Sequence, residues 1–278
     1  MRGAGCGGLV APFHRDNRGL VASLNELASH ARAPIIARMD GDDVSFPNRF
    51  QKQLAFWTRN PEYGVIGTWC KDVTEVGNPT GRAIASQPTD HEAFLAAVLQ
   101  RQPLIAHPTV MMHRHLLEKV GGYRAMFRHC EDYDLWLRLS AHTKLCSMPE
   151  HLYAYRYYPG QVSQRHIVEQ LYGACVAFLA WQIRERGESD PTESLHALPD
   201  IETLDAMFGE GSSQFASDWV AGAILYSESA LKSDGFEFLL RNIRSGGNRD
   251  GLWRTAGRLV KLGQPARGAK LALALMTR

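Results

Sequence analysis

The sequence lacks a long apolar run, a paired cysteine motif and any marked charge imbalance, and each lack removes a class of protein. No stretch reaches the roughly 18 to 20 apolar residues that a membrane-spanning helix needs; the best candidate, "YGACVAFLAWQI" from Tyr172, reads as a buried helix. The opening "MRGAGCGGLVAPF" has no apolar core of the secretory-signal kind. Five cysteines (Cys6, Cys70, Cys130, Cys146, Cys175) are odd in number and scattered, with no Cys-x-x-Cys pair for a zinc ribbon or redox site, and read as reduced cytosolic thiols. A formal net charge of +2 gives no reason to expect nucleic acid as a partner. Over 278 residues, 45% hydrophobic and 22% charged excludes a disordered chain and leaves one large domain, or a domain plus an appendage.

What is present is an alternation of helices and short apolar runs. "GLVASLNELASHA" spaces Leu20, Leu24 and Leu27 as a helix, and "APIIARMD" reads as a buried parallel strand. Pro47 suits a first helical turn, with Phe46, Phe50, Leu54 and Trp57 as the buried face up to Asn60-Pro61. "YGVIGTWCKDV" is the next strand, and a polar segment then leads to a helix over His91 to Arg101. "HPTVMMH" is a strand, "RHLLEKVGGY" a short helix closed by Gly121-Gly122, "CEDYDLWLRLS" an amphipathic helix, and "KLCSMPEHLYAYRYY" one or two strands. After Pro159 the pattern turns helical, over about Ser163 to Arg186, Ile201 to Phe208, Ser213 to Lys232, Phe236 to Ile243 and Leu252 to Met276. Its last part sets Arg241, Arg244, Arg249, Arg254, Arg258, Lys261, Arg267, Lys270 and Arg278 against the single acid Asp250. With leucines interleaved, these helices either present a solvated basic face or make peripheral contact with an anionic membrane.

Two acidic motifs carry chemistry. Asp40, Asp42 and Asp43 follow "PIIARM" directly, and in open α/β sheets ligands bind beyond the carboxyl ends of strands. Crowded carboxylates repel one another unless a hard divalent cation, Mn²⁺ or Mg²⁺, shares their charge through oxygen ligands. The glycine and distal glutamate of an EF-hand are missing, and a polar turn with Asp43 or Ser45 capping the next helix accounts for the same residues. Farther on, Glu131 and Asp132 open a helix, where the macrodipole stabilises carboxylates and where an acid can serve as general base.

Taken in order, "NRGLVASLNELASHARAPIIARMDGDDVSFPNRFQKQLAFWTRNPEYGVIGTW", "HPTVMMHRHLLEKVGGY" and "EDYDLWLRLS" resemble the family 2 glycosyltransferases of bacterial surface-polysaccharide synthesis, over about Arg15 to His166. The resemblance implies a fold of class α/β: a GT-A-like, incomplete Rossmann-like mixed sheet flanked by helices, with a helical C-terminal extension. It implies a core over 1–160 and an extension over 161–278. Asp40-Gly41-Asp42 matches the family's Asp-x-Asp motif, so Asp42 is the expected metal ligand, with Asp40 on the metal or ribose side and Asp43 in support at the donor. Glu131-Asp132 matches the Glu-Asp motif, with Asp132 the expected base. The activity implied is inverting transfer from a nucleotide-sugar donor to a glycan or lipid-linked acceptor hydroxyl, at the cytoplasmic face of the membrane.

His107 is expected either to line the acceptor side or merely to cap a strand. Arg156 is expected near phosphate, and Arg49, on an amphipathic helix, is expected to be structural, with phosphate contact as the alternative. Tyr158 stands where many relatives carry a histidine, and His166 is a poor substitute for it as a metal ligand. The Gln-x-x-Arg-Trp motif of processive synthases is absent, which implies single-sugar transfer. About a dozen residues stand where family members have a first βαβ unit for the nucleobase, so the chain is expected to be an N-terminally truncated form. That expectation raises an alternative, a catalytically silent module for interaction or membrane docking. Metal-dependent phosphohydrolysis fits the acids alone but not the motif order.

Overall fold

The protein is described by a computed structural model over residues 16–81, 86–158 and 166–277. The glycine-rich opening with Cys6, where the truncation was expected, and the first residues of the helical part lie outside them. Two long strands, β3 (Tyr63–Val73) and β5 (Lys144–Arg156), run parallel at the centre of a mixed sheet. Strand β4 (Met111–His113) pairs antiparallel with β3, β1 (Ile35–Ala37) antiparallel with β4, and β2 (Val44–Ser45) antiparallel with β5, giving the order β1-β4-β3-β5-β2. Helices α1 (Leu20–His30), α2 (Arg49–Arg59), α3 (His91–Leu99), α4 (Arg114–Lys119) and α5 (Glu131–Leu139) flank it. The fold class expected from the sequence is the one found.

Three local expectations change. "PIIARM" was expected to be a buried parallel strand, yet β1 is a short edge strand, antiparallel to its one partner among the described residues, with Ile35 and Ile36 half-buried. "HPTVMMH" does not run extended throughout. Pro108 has no N–H for a ladder, so His107–Thr109 tightens into a 3-10 turn before β4.

The third change concerns α2, whose apolar stripe was expected to be its buried face. Phe50 and Leu54 are 46% and 44% exposed, while Arg49 and Gln53 are both fully buried and Trp57 nearly so. Polar atoms turn inward there because they satisfy backbone groups that the irregular strand ends leave open. Gln53 donates to the Ile66 and Thr109 carbonyls at 2.8 and 3.0 Å, and Arg49 donates to the Arg38 carbonyl at 2.9 Å.

The C-terminal helices are α6 (Ile167–Glu185), α7 (Leu204–Phe208), α8 (Ser212–Ile224), α9 (Glu228–Lys232), α10 (Gly235–Arg244), α11 (Leu252–Lys261) and α12 (Pro265–Met276). The helix expected over Leu252 to Met276 is broken by Gly263, at φ 73°, with Pro265 opening the next one. Helix α6 packs Cys175, Val176, Phe178 and Trp181 into the main core beside Phe127, Leu135 and Trp136. A second core, including Val220, Phe236, Leu240, Leu259 and Leu271, lies among α8 to α12.

Candidate active site

Between β1 and β2 the chain crosses from one edge of the sheet to the other, and residues 38–43 form the crossing. The loop lies over the carboxyl ends of β3 and β5, the place where a sheet of this kind binds ligands. Arg156, at the end of β5, ties it down: its Nε donates to the Asp42 carbonyl at 2.6 Å, and its Nη1 donates to the carbonyls of Thr74 and Glu75 just past β3. Its backbone N–H donates to Asp43 Oδ1 at 2.7 Å.

The three aspartates hold different positions. Asp40 is clamped by Arg38, whose Nη2 and Nη1 lie 2.6 and 2.8 Å from its two carboxylate oxygens. Asp43 is buried; desolvation raises its pKa, and the Arg156 N–H and the Tyr153 hydroxyl act against that rise. Asp42 is exposed, and its Oδ2 accepts a hydrogen bond of 3.2 Å from Tyr158. Asp42 is therefore the acid of the three with its carboxylate turned outward.

A cavity of about 800 Å³ opens beside this loop, lined by Arg38, Asp40, Asp42, Arg128, His129, Glu131 and Tyr158 among others. Asp40, Asp42 and Glu131 thus share one cavity although the two motifs stand about ninety residues apart, while Asp132 is not among the residues that line it. Glu131 is buried, and desolvation, with Asp132 adding to it, pushes its carboxyl up to about 7. Asp132 is half-buried beside it; burial raises its pKa too, while its Oδ1 accepts the Tyr133 N–H at 2.8 Å. Glu131, held near neutrality, can take up a proton at physiological pH.

Helix α5 owes its position to a third acid in "EDYDLW". Asp134 is fully buried and accepts from Arg124 and from Arg138, whose Nη2 lies 2.8 Å away. Arg138 also donates to the Val120 and Gly122 carbonyls, and Arg124 reaches Asp190 beyond α6.

His107 lies under the site rather than on its wall. It is 6% exposed, with Nε2 2.9 Å from the Tyr123 hydroxyl and its ring edge-on to Trp136. Burial holds its pKa well below the usual histidine range. Arg49 takes the structural role expected of it: it is fully buried, with bonds to Gln53 Oε1 and the Arg38 carbonyl. The residue that sequence reasoning missed is Arg38, a cation closing an apolar strand two residues before an acid, which was the available signal.

Residues 7–121 match the model of the family described as glycosyl transferase family 2. A putative glycosyltransferase, EpsE, of Bacillus subtilis is 38% identical over 127 residues, 45% of this chain and 44% of that protein. The O-antigen biosynthesis glycosyltransferase WbnJ of Escherichia coli is 34% identical over 42% of this chain and 44% of its own length. The Escherichia coli UDP-Gal:alpha-D-GlcNAc-diphosphoundecaprenol beta-1,3-galactosyltransferase is 30% identical over 44% and 43%. This chain spans less than half the length of these relatives. Among solved structures, TarS 1-349 of S. aureus in complex with UDP-GlcNAc aligns over 83% of this chain and 73% of that one, at 13% identity and a TM-score of 0.44. Over residues 7–121 this chain thus resembles glycosyl transferase family 2, and the relatives it aligns with are named as glycosyltransferases.

Proposed function

We propose that the chain transfers a single sugar from a nucleotide-sugar donor to an acceptor hydroxyl, with inversion and with the help of a divalent cation. The observation that carries this reading is the convergence of Asp42 and Glu131 on one cavity at the carboxyl ends of the central strands. Asp42 suits a hard cation, being an exposed carboxylate with a single hydroxyl donor on it. Asp40 is neutralised by Arg38, so it acts by fixing the loop and orienting Arg38 toward the cavity. Mn²⁺ or Mg²⁺ bound there would stabilise the departing diphosphate.

Asp132 serves as the base that takes the acceptor proton, with Glu131 holding the second carboxyl of the pair at the cavity wall. Arg156 supports the donor side by holding the 38–43 loop, and Asp43 by anchoring Arg156 in return. His107 supports the acceptor side from below, through Tyr123. The galactosyltransferase relative is named for a diphosphoundecaprenol-linked sugar, which favours a lipid-linked acceptor over a free glycan.

The test is release of nucleoside diphosphate in the presence of Mn²⁺ and a lipid-linked acceptor. Asp42→Asn removes the metal dependence together with turnover, and Asp132→Asn lowers kcat by about 10²–10⁴-fold. Full turnover in Asp42→Asn would sink the proposal.

A peripheral place at the inner face of the membrane has its own support. No helix among the described residues is long and apolar enough to span a bilayer. On α11, however, Trp253 and Val260 stand seven residues apart on one face, both 54% exposed, with Arg254 and Lys261 exposed beside them. The basic face is smaller than the sequence suggested, because Arg249, Arg258 and Arg267 donate to backbone carbonyls and Lys270 pairs with Glu237.

A further inference from the structure

A separate cluster stands beside the cavity, and neither acidic motif uses it. Helix α6 begins at His166 and carries Glu169 on its first turn, and three residues is the spacing that puts both on one face. His129, immediately before α5, lies against them, its imidazole stacked on that of His166 at 4.2 Å and 13°. His129 Nε2 lies 3.7 Å from Glu169 Oε2, and His166 Nδ1 lies 3.6 Å from the same oxygen. Two imidazole nitrogens and one carboxylate oxygen all fall within 4.8 Å of one another.

Several features set this cluster apart from an incidental surface pair. His129 has a positive φ of 70°, a conformation that a residue other than glycine adopts at a cost. Its side chain is 11% exposed, and its Nε2 is buried without a hydrogen-bond partner among the described residues. A ring nitrogen so placed, 3.7 Å from a carboxylate oxygen, has a lone pair available to a cation between the two. The approach of the two elements is itself built in: a Cβ at Gly173, on α6, would come within 2.5 Å of Cys130 Sγ, so glycine there lets α6 close on the segment that carries His129.

We infer that His129, His166 and Glu169 form a second cation site, selective for a borderline-soft divalent ion of the zinc class and separate from the Asp42 position. Two histidines and one carboxylate with an open fourth position are a donor set that zinc takes readily and that Mg²⁺ does not favour. Tetrahedral zinc at about 2.0–2.2 Å from each donor would draw the ligands to about 3.3–3.5 Å apart, against 3.7 and 3.6 Å now between the two imidazole nitrogens and Glu169 Oε2. His166 and Glu169 are 40% and 43% exposed and have room to make that adjustment, while buried His129 supplies the fixed corner. An ion there would place a positive charge two residues from Glu131, at the wall of the cavity that His129 helps to line.

The full chain, freed of metal by chelation, is titrated with Co²⁺ and followed by its visible d–d absorption, then challenged with Zn²⁺. One equivalent of Co²⁺ gives a tetrahedral band, and Zn²⁺ displaces it. His129→Asn, a residue that tolerates the left-handed backbone, and Glu169→Gln, on an exposed side chain, each weaken binding by about tenfold or more. Asp42→Asn leaves the band unchanged. Absence of the band, its persistence in both His129→Asn and Glu169→Gln, or its loss in Asp42→Asn overturns the assignment. The last outcome would move the ion to the acidic loop and leave the transferase reading intact.

Discussion

Arg49 offers the sharpest test of how the site is held, because its costs and gains are both visible. Burial lowers its pKa from 12.5 to about 10, and at about 1.4 kcal/mol per pH unit this is a desolvation cost of about 3 kcal/mol. Against it stand hydrogen bonds from Nε to Gln53 Oε1 at 3.0 Å and from Nη2 to the Arg38 carbonyl at 2.9 Å, with a longer one to Val110. Two charge-assisted bonds contribute about 3–6 kcal/mol, so the net gain from the cation is small. Arg49→Ala loses those bonds, strands their acceptors and opens a cavity, at a cost of about 4–5 kcal/mol. Arg49→Met loses the same bonds but fills the space and avoids the desolvation cost, for about 1–2 kcal/mol. Urea unfolding at pH 7.5 measures both, with the midpoint compared at constant m. Equal destabilisation of the two variants would refute the bookkeeping. In both, the Arg38 carbonyl is released next to Asp40, so transfer falls further in Arg49→Met than its modest stability loss explains.

Three other outcomes follow from the same geometry. His107 is neutral when folded and has a lowered pKa, so the unfolded chain binds the extra proton; stability contributed above pH 6.5 is lost on acidification, by up to about 1.4 kcal/mol per pH unit. His107→Gln flattens the difference between urea midpoints at pH 7.5 and 5, and an unchanged difference contradicts the assignment. Asp134→Asn uncovers buried Arg138 and half-buried Arg124 and costs about 3–5 kcal/mol, read as a fall in Tm, whereas a shift within error would mean that α5 is held by packing alone. Replacing Trp253 and Val260 with serine reduces sedimentation with anionic vesicles, and replacing Arg254 and Lys261 with glutamine reduces it in a salt-dependent way; unchanged sedimentation in both variants would refute the contact.

The elements were legible where one local signal dominated. β3 falls over the run read as Tyr63 to Val73, and α5 starts at the acids read as its first turn. The buried face of α2 was not legible, because amphipathic reasoning assigns arginine and glutamine to solvent and knows nothing of the carbonyls left open by irregular strand ends. The direction of β1 was missed for a related reason: an apolar run does not say which strand it pairs with. At the site, the two acidic motifs stood out as patterns, but the Arg38 clamp on Asp40 and the contact of His129 with α6 are products of tertiary approach. Arg156 was expected near phosphate, and the carbonyls it binds became visible only once β5 and the 38–43 loop were side by side.

Helix α6 belongs to two cores at once. Cys175 to Trp181 fill the one beneath the sheet, while Ile167, Val168 and Leu171 pack against the helices that follow. Among the described residues, α6 therefore joins the core beneath the sheet to the core of the C-terminal helices. Cleavage anywhere between Arg156 and α6 would strip both halves of apolar cover, and the two halves would be expected to melt as one unit. A displacement of the last helices would therefore be felt, through α6, by the core that holds α5.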